Sequence, residues 1–323
     1  MMTCAPVLML GFNRPEMSRR LLSCVRRARP ARVYFAVDGA RDGRSGEAET
    51  VMAVQALVRE IDWPCDVKTR FRERNLGCAR AIPDAISWFL SQEPYGIILE
   101  DDVQPCDWFF AYETELLERY RNEPRIGMVS GFNHYGFQTD SRASYHFTRF
   151  SDIWGWGTWA RVWGDYSLDV SGYLPRLDEI LRQWTSNRRM RGIMRSYVES
   201  VVSRPTTWDV QFALMFAAKG YLSAAPRKRL TGNLGFSDER GVHTQGYCYD
   251  AVQYQDVWQG DGEVRHPNAI VADERAEALT ARRASGLLPR TLTVLGSRLP
   301  VLRDLVSAVG ATTEGLCPGL FRI

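Results

Sequence analysis

Short, continuous apolar runs alternate along the first 132 residues with stretches whose apolar positions recur every three to four residues. Each run reads as a buried strand and each recurring stretch as a helix packed on one face. The pattern predicts strands at 6–12, 32–37, 65–70, 95–103 and 126–132, with helices at 15–27, 47–61, 75–90 and 107–121 between them. Ile97, Ile98 and Leu99 follow one another without polar interruption, as in a strand covered on both faces. Strand and helix in strict alternation indicate the α/β class, a parallel sheet with helical crossovers. Pro15 suits a first helical turn. Pro83 interrupts the stripe Ala79, Ile82, Ile86, Phe89 and is expected to kink that helix or delay its start.

Beyond residue 133 the pattern changes. Residues 154–163 hold four of the chain's ten tryptophans around glycines, and helices are expected at 174–184 and 187–202. Another helix opens near Thr206 and stops at Lys219-Gly220, with glycine in the capping position. A strand at 221–225 precedes a glycine-rich loop at 231–244. From residue 261 the chain reads as a separate C-terminal helical appendage. There Leu288, Leu292, Leu295, Leu299, Leu302 and Val306 form a stripe flanked by arginines and broken by Gly296 and Pro300. Such a stripe packs onto the domain or a second subunit, or lies on an anionic membrane surface. The expected organisation is a domain at 1–260, with a nucleotide-binding half at 1–132 and an acceptor and catalytic half at 133–260, followed by the amphipathic tail at 261–323.

With 323 residues and 45% apolar content, the chain can bury a sizeable core. A net charge of +3 argues against nucleic-acid binding driven by bulk charge. The seven cysteines are odd in number and show no C-x-x-C spacing, which favours a reducing, cytoplasmic compartment. No secretory leader is recognisable, and no apolar run is long enough to span a bilayer. The tail leaves the inner face of the membrane as a second location. Neither G-x-G-x-x-G nor G-x-x-x-x-G-K-[ST] occurs, so dinucleotide-binding and P-loop NTPase folds are not supported.

Candidate chemistry concentrates where the strand at 95–103 ends in Glu100-Asp101-Asp102. In open α/β sheets ligands bind beyond the carboxyl ends of strands. A divalent cation offsets repulsion among adjacent carboxylates, and all-oxygen ligation selects Mg²⁺ or Mn²⁺ over zinc. The same residues also read as a turn of solvated acids or as charges at a helix N-terminus. Asp38, before Gly39, brings another carboxylate to the same sheet edge. Trp154, Trp156 and Trp208 suit either a sugar pocket or core packing. Arg182, Arg188, Arg189, Arg191 and Arg195 suit a solvated helix face or an anionic acceptor. Asp209 reads as a favourable first-turn charge, and His243 as a loop surface residue or a ligand.

Taken in order, strand–Asn13-Arg14-Pro15, strand–Asp38-Gly39, Asn75-Leu76-Gly77, Glu100-Asp101-Asp102, Trp154-Gly155-Trp156, Trp208-Asp209 and Gly241-Val242-His243-Thr244 resemble a GT-A-fold glycosyltransferase. The resemblance is to N-acetylglucosaminyltransferase I and bacterial polysaccharide-assembly transferases, over roughly residues 5–250. It implies a GT-A, Rossmann-like, mixed and mainly parallel sheet flanked by helices. It also implies a nucleotide diphosphate sugar donor, UDP-linked by preference, and a glycan or lipid-linked glycan acceptor. By the same resemblance Asp102 would hold Mn²⁺ or Mg²⁺, Asp101 would contact the ribose or assist the metal, and Glu100 would face the donor sugar. Asp38 with Arg14 beside it would hold the base, Arg80 would approach a phosphate, and His243 would complete metal or phosphate binding. Asp209, next to Trp208, would be the base of an inverting displacement. The contiguous Glu-Asp-Asp departs from the common D-x-D, which loosens the expectation of metal dependence. Two other readings share the sheet: a nucleotide-sugar-forming nucleotidyltransferase, which normally carries a glycine-rich loop after its first strand, and a non-catalytic sugar-binding or assembly protein.

Overall fold

The computed structural model describes residues 3–133, 142–235 and 262–284. Four strands, β1 (Val7–Gly11), β2 (Arg32–Val37), β3 (Asp66–Phe71) and β4 (Tyr95–Glu100), form a parallel unit in the order β3-β2-β1-β4. Helices α1 (Pro15–Ala28), α2 (Glu47–Ala56) and α3 (Cys78–Leu90) make the crossovers. The apolar runs of β1 and β4 are buried from Val7 to Leu10 and from Gly96 to Leu99, as strands covered on both faces require. Leu10 pairs with Glu100 in the register of β1 and β4, so the turn after β1 and the acids after β4 emerge side by side.

The sheet continues through the two strands expected at 126–132 and 221–225 and through two more, at 145–148 and 156–159, that the apolar pattern did not reveal. Beyond β4 lie β8 (Trp156–Trp159), β6 (Ile126–Ser130), β9 (Leu222–Pro226) and β7 (Tyr145–Thr148), giving the order β3-β2-β1-β4-β8-β6-β9-β7. β8 runs antiparallel to both β4 and β6, and β7 antiparallel to β9. The result is a mixed, mainly parallel sheet flanked by helices. Trp156 packs on Phe212 of α8 (Asp209–Lys219), whereas a Cβ on the next residue, Gly157, would stand 2.6 Å from Glu113 of α4 (Asp107–Arg119). Successive strand residues point to opposite faces, so α8 and α4 cover opposite sides. The tryptophan-rich segment is therefore a central strand followed by one helical turn, α5 (Ala160–Trp163).

Several boundaries differ from the sequence pattern, three of them near the site. The run at 95–103 divides into β4, a turn at Asp101–Asp102, and β5 (Val103–Pro105), which pairs with β10 (Thr231–Asn233). Helix α3 begins at Cys78, because residues 75–77 are engaged elsewhere, and Pro83 lies within it. The expected helix at 47–61 ends as α helix at Ala56 and finishes in a 3₁₀ turn, Leu57–Glu60.

A second core forms where α6 (Leu177–Trp184) and α7 (Arg188–Ser203) pack with α8. Residues 262–284 return to the sheet. Ala272 bridges Phe147 of β7, and Glu277 of α9 (Glu274–Ala284) accepts hydrogen bonds from Arg149 N (2.6 Å) and Thr148 Oγ1 (3.2 Å). The first part of the expected tail is thus joined to the edge strand. The stripe from Leu288 to Val306 lies outside the described residues, among which no helix is long and apolar enough to cross a membrane.

Candidate active site

A cleft of about 420 Å³ opens at the carboxyl ends of β1, β2 and β4. Of the residues expected there, Arg14, Asp38, Glu100, Asp101, Asp102, Trp154 and Trp208 line it. Arg80, Trp156 and Asp209 do not. Arg80 is exposed on α3, and Trp156 is buried in the core, stacked on Trp208 with centroids 5.9 Å apart and planes at 19°. His243 lies outside the described residues.

The acid corner is organised by Arg14. Its Nε donates to Asp101 Oδ2 at 3.2 Å, its Nη2 donates to Asp101 Oδ1, and the same Nη2 reaches Asp102 Oδ2 at 3.1 Å. A fork on one carboxylate with a further bond to the next uses the planar geometry of guanidinium. Arg14 was expected beside Asp38; it belongs instead to the acids after β4. Burial, reinforced by Asp102, Asp101 and Asp209, raises the Glu100 carboxyl well above its ordinary range, with Arg14 pulling the other way.

Asp38 has other partners. Its carboxylate accepts from the backbone N–H of Gly39 (2.9 Å), Leu76 (2.9 Å) and Gly77 (3.0 Å) and from Asn75 Nδ2 (3.0 Å). These bonds occupy the acceptor capacity of one carboxylate. Gly77, at φ +75°, supplies a backbone conformation that L side chains rarely adopt. Asp38 thus clamps the loop that leads into α3. Burial raises its pKa, and the same N–H groups partly offset the rise.

The cleft's other cations escaped the sequence reading. Arg70 and Arg72 project from the end of β3 and just beyond it, and both pair with Asp84 of α3. Arg41 pairs with Glu47, whose carboxyl it holds down at about 2. The one available signal was the spacing of Arg70 and Arg72, two residues apart at a strand end, which puts both on one face.

On the far side of the acids, the β5–β10 ribbon brings residues 233–235 against Asp102. Leu234 N donates to Asp102 O at 2.8 Å, and Gly235 N to Asn233 Oδ1 at 2.7 Å. A Cβ at Gly235 would stand 2.5 Å from Asp102 Oδ2, so that carboxylate sits in a cradle any side chain would fill. The nearby donors, Asp102, Glu100 and Asn233 Oδ1, are all hard oxygens and suit Mg²⁺ or Mn²⁺. Among the described residues no three His, Cys, Asp or Glu side chains make a metal site by themselves. The protein's share fits the partial shell typical of a cation that also binds substrate phosphates.

Asp209 is 2% exposed and lies directly behind Thr207 and Trp208, which form the wall. Thr207 Oγ1 donates to its Oδ1, and so does Val210 N at 2.8 Å. Among the described residues Oδ2 receives no hydrogen bond, which leaves it as the atom to take a proton. Burial raises the Asp209 carboxyl to about 6, with the Thr207 and Val210 donors restraining the rise. Trp154 lines the cleft with its ring edge-on to Phe132, centroids 4.6 Å apart.

No protein-family model matches the chain, and no curated protein sequence matches it. Similar folds occur among solved structures. The mannosyltransferase PcManGT from Pyrobaculum calidifontis, in complex with GDP-Man and Mn²⁺, is 14% identical with a TM-score of 0.42, over 75% of this chain and 60% of that one. HddC from Yersinia pseudotuberculosis is 11% identical with a TM-score of 0.33, over 53% and 86% of the two chains. TarS 1–349 from S. aureus is 10% identical with a TM-score of 0.37, over 71% and 60%. The chain thus spans 60% of the length of the mannosyltransferase and of the TarS fragment. Likenesses of this degree concern the fold alone, so function rests on the chemistry of the site.

Proposed function

We propose that the cleft is the active site of a metal-dependent glycosyltransferase that moves a sugar from a nucleoside diphosphate, UDP by preference, to a hydroxyl of a glycan or lipid-linked glycan. One observation carries the reading. An oxygen-donor corner at Asp102 lines the cleft, and the buried carboxylate of Asp209, held on one oxygen and unengaged on the other among the described residues, directly follows the lining residues Thr207 and Trp208. When bound, Mn²⁺ or Mg²⁺ would neutralise charge growing on the leaving diphosphate. Asp102 would hold the ion with Asn233 Oδ1 beside it, the donor's own phosphate oxygens would complete the shell, and Glu100 would face the donor sugar. Arg14 and the Arg70–Asp84–Arg72 group bring fixed positive charge to the nucleotide side. Asp209 Oδ2 takes the acceptor's proton as general base, and a pKa near 6 keeps it ionised at neutral pH. A base with no second nucleophilic carboxylate assigned favours a single, inverting displacement.

The test is a panel of UDP- and GDP-sugars with Mn²⁺, read by nucleoside diphosphate release and by thermal shift. Slow release abolished in Asp102→Ala, and lost with donor binding retained in Asp209→Asn, is the expected result. Binding without turnover across a broad acceptor panel would favour the non-catalytic sugar-binding reading. No binding to any nucleotide would refute both. The turn Gly11-Phe12-Asn13-Arg14 lacks the glycine-rich loop of a nucleotidyltransferase.

A further inference from the structure

We propose that Arg14 is a resident counterion that keeps the acid pair Asp101–Asp102 closed to a divalent cation and releases it when a diphosphate arrives. The inference rests on the metal-dependent reading above and adds an order of assembly to it. Arg14 closes the β1–α1 turn. Its carbonyl accepts from Ser18 N at 3.0 Å and Pro15 follows at the first helical position, so its backbone is anchored at the helix start. Because β1 lies against β4 in parallel register, that anchor places the guanidinium beside Asp101 and Asp102.

The contact is tight and sheltered: the side chains of Arg14, Asp101 and Asp102 are 15%, 5% and 15% exposed. Shelter strengthens each charge-assisted bond. The other cleft arginines already have carboxylates of their own, Arg41 with Glu47 and Arg70 and Arg72 with Asp84. Arg14 is the cleft arginine whose partners are the candidate metal ligands. Nη2 of Arg14 holds Asp102 Oδ2, the oxygen that faces the Gly235 cradle. A divalent cation taking that oxygen competes with Arg14 for its negative charge and stands beside the positive guanidinium. A diphosphate removes both obstacles, since it offers the guanidinium fork another pair of anionic oxygens. Cation and diphosphate should therefore bind cooperatively, and by linkage each should raise the affinity of the other.

The test measures Mn²⁺ binding to the full chain by the loss of free-ion EPR signal, with and without UDP, corrected for Mn²⁺ held by free UDP. Wild type should bind Mn²⁺ weakly alone and more tightly with UDP. Arg14→Met should bind Mn²⁺ alone about tenfold more tightly, within the usual range for coupled sites, and should lose most of the gain from UDP. Arg14→Lys, which keeps the charge without the fork, should fall between the two and serves if the Met variant does not fold. Circular dichroism checks each fold. Unchanged or weaker Mn²⁺ affinity in a folded Arg14→Met, with wild type still binding Mn²⁺ in the presence of UDP, overturns the counterion role and leaves the metal reading standing. Absence of Mn²⁺ binding in every protein, with and without UDP, overturns the metal reading and this inference with it.

Discussion

Replacing Thr207 by Val removes the side-chain donor to Asp209 while keeping nearly the same shape. In the native protein the Thr207 hydroxyl and Val210 N–H share Asp209 Oδ1, and both favour the ionised carboxylate against the burial that raises its pKa to about 6. A hydrogen bond to a charged group contributes about 1.5–3 kcal/mol, and one pKa unit corresponds to about 1.4 kcal/mol. Loss of the hydroxyl should therefore raise the Asp209 pKa by roughly one to two units, to roughly 7–8. The active base is the deprotonated form, so activity is present above the pKa and lost as pH falls through it. The acid limb of kcat/KM, followed by nucleoside diphosphate release, should lie near 6 in wild type and move upward in Thr207→Val. Thr207→Ser, which restores a hydroxyl, should return it. A limb that stays in place in Thr207→Val, or activity that rises as pH falls, would refute the assignment of Asp209 as base.

Three further outcomes are expected. His146 is buried in β7, and its pKa is lowered to about 4 by burial first and then by Arg227. A depressed histidine contributes stability that is present above its unfolded value near 6.5 and lost as pH falls toward 4, at most about 3 kcal/mol. Urea midpoints of wild type should drop more steeply than those of His146→Phe across that window, and parallel curves would count against it. Trp156→Ala should cost about 3–5 kcal/mol, because the ring is fully buried in the core, whereas Trp154→Ala should act chiefly on KM; equal denaturation midpoints for wild type and Trp156→Ala would contradict the core role. Deleting residues 286–323 should lower binding to anionic liposomes in a sedimentation assay, and unchanged binding would remove the membrane role proposed for the tail.

How far the sequence discloses this protein depends on whether the deciding interaction is local. Strands β1, β2 and β4 are legible because each is a continuous apolar run, and α8 because Gly220 caps it at φ +65°. β8 is not legible. Four residues, Trp-Gly-Thr-Trp, become a strand only through pairing with β4 and β6, and Gly157 is required there by α4 from across the sheet. The site shows the same division. Sequence places Arg14, Asp38 and Glu100–Asp102 at one sheet edge, but the order β2-β1-β4 puts Arg14 between two candidate partners. Competition decides between them. The loop at 75–77, held in shape by Gly77, presents two backbone N–H groups and the Asn75 amide to Asp38 and fills its acceptor sites together with Gly39. Arg14 instead pairs with the acids that follow β4. The loop around Gly77, some sixty residues beyond Arg14, thus occupies the carboxylate that Arg14 does not hold, and no spacing rule applied to the β1–α1 turn alone would reveal it.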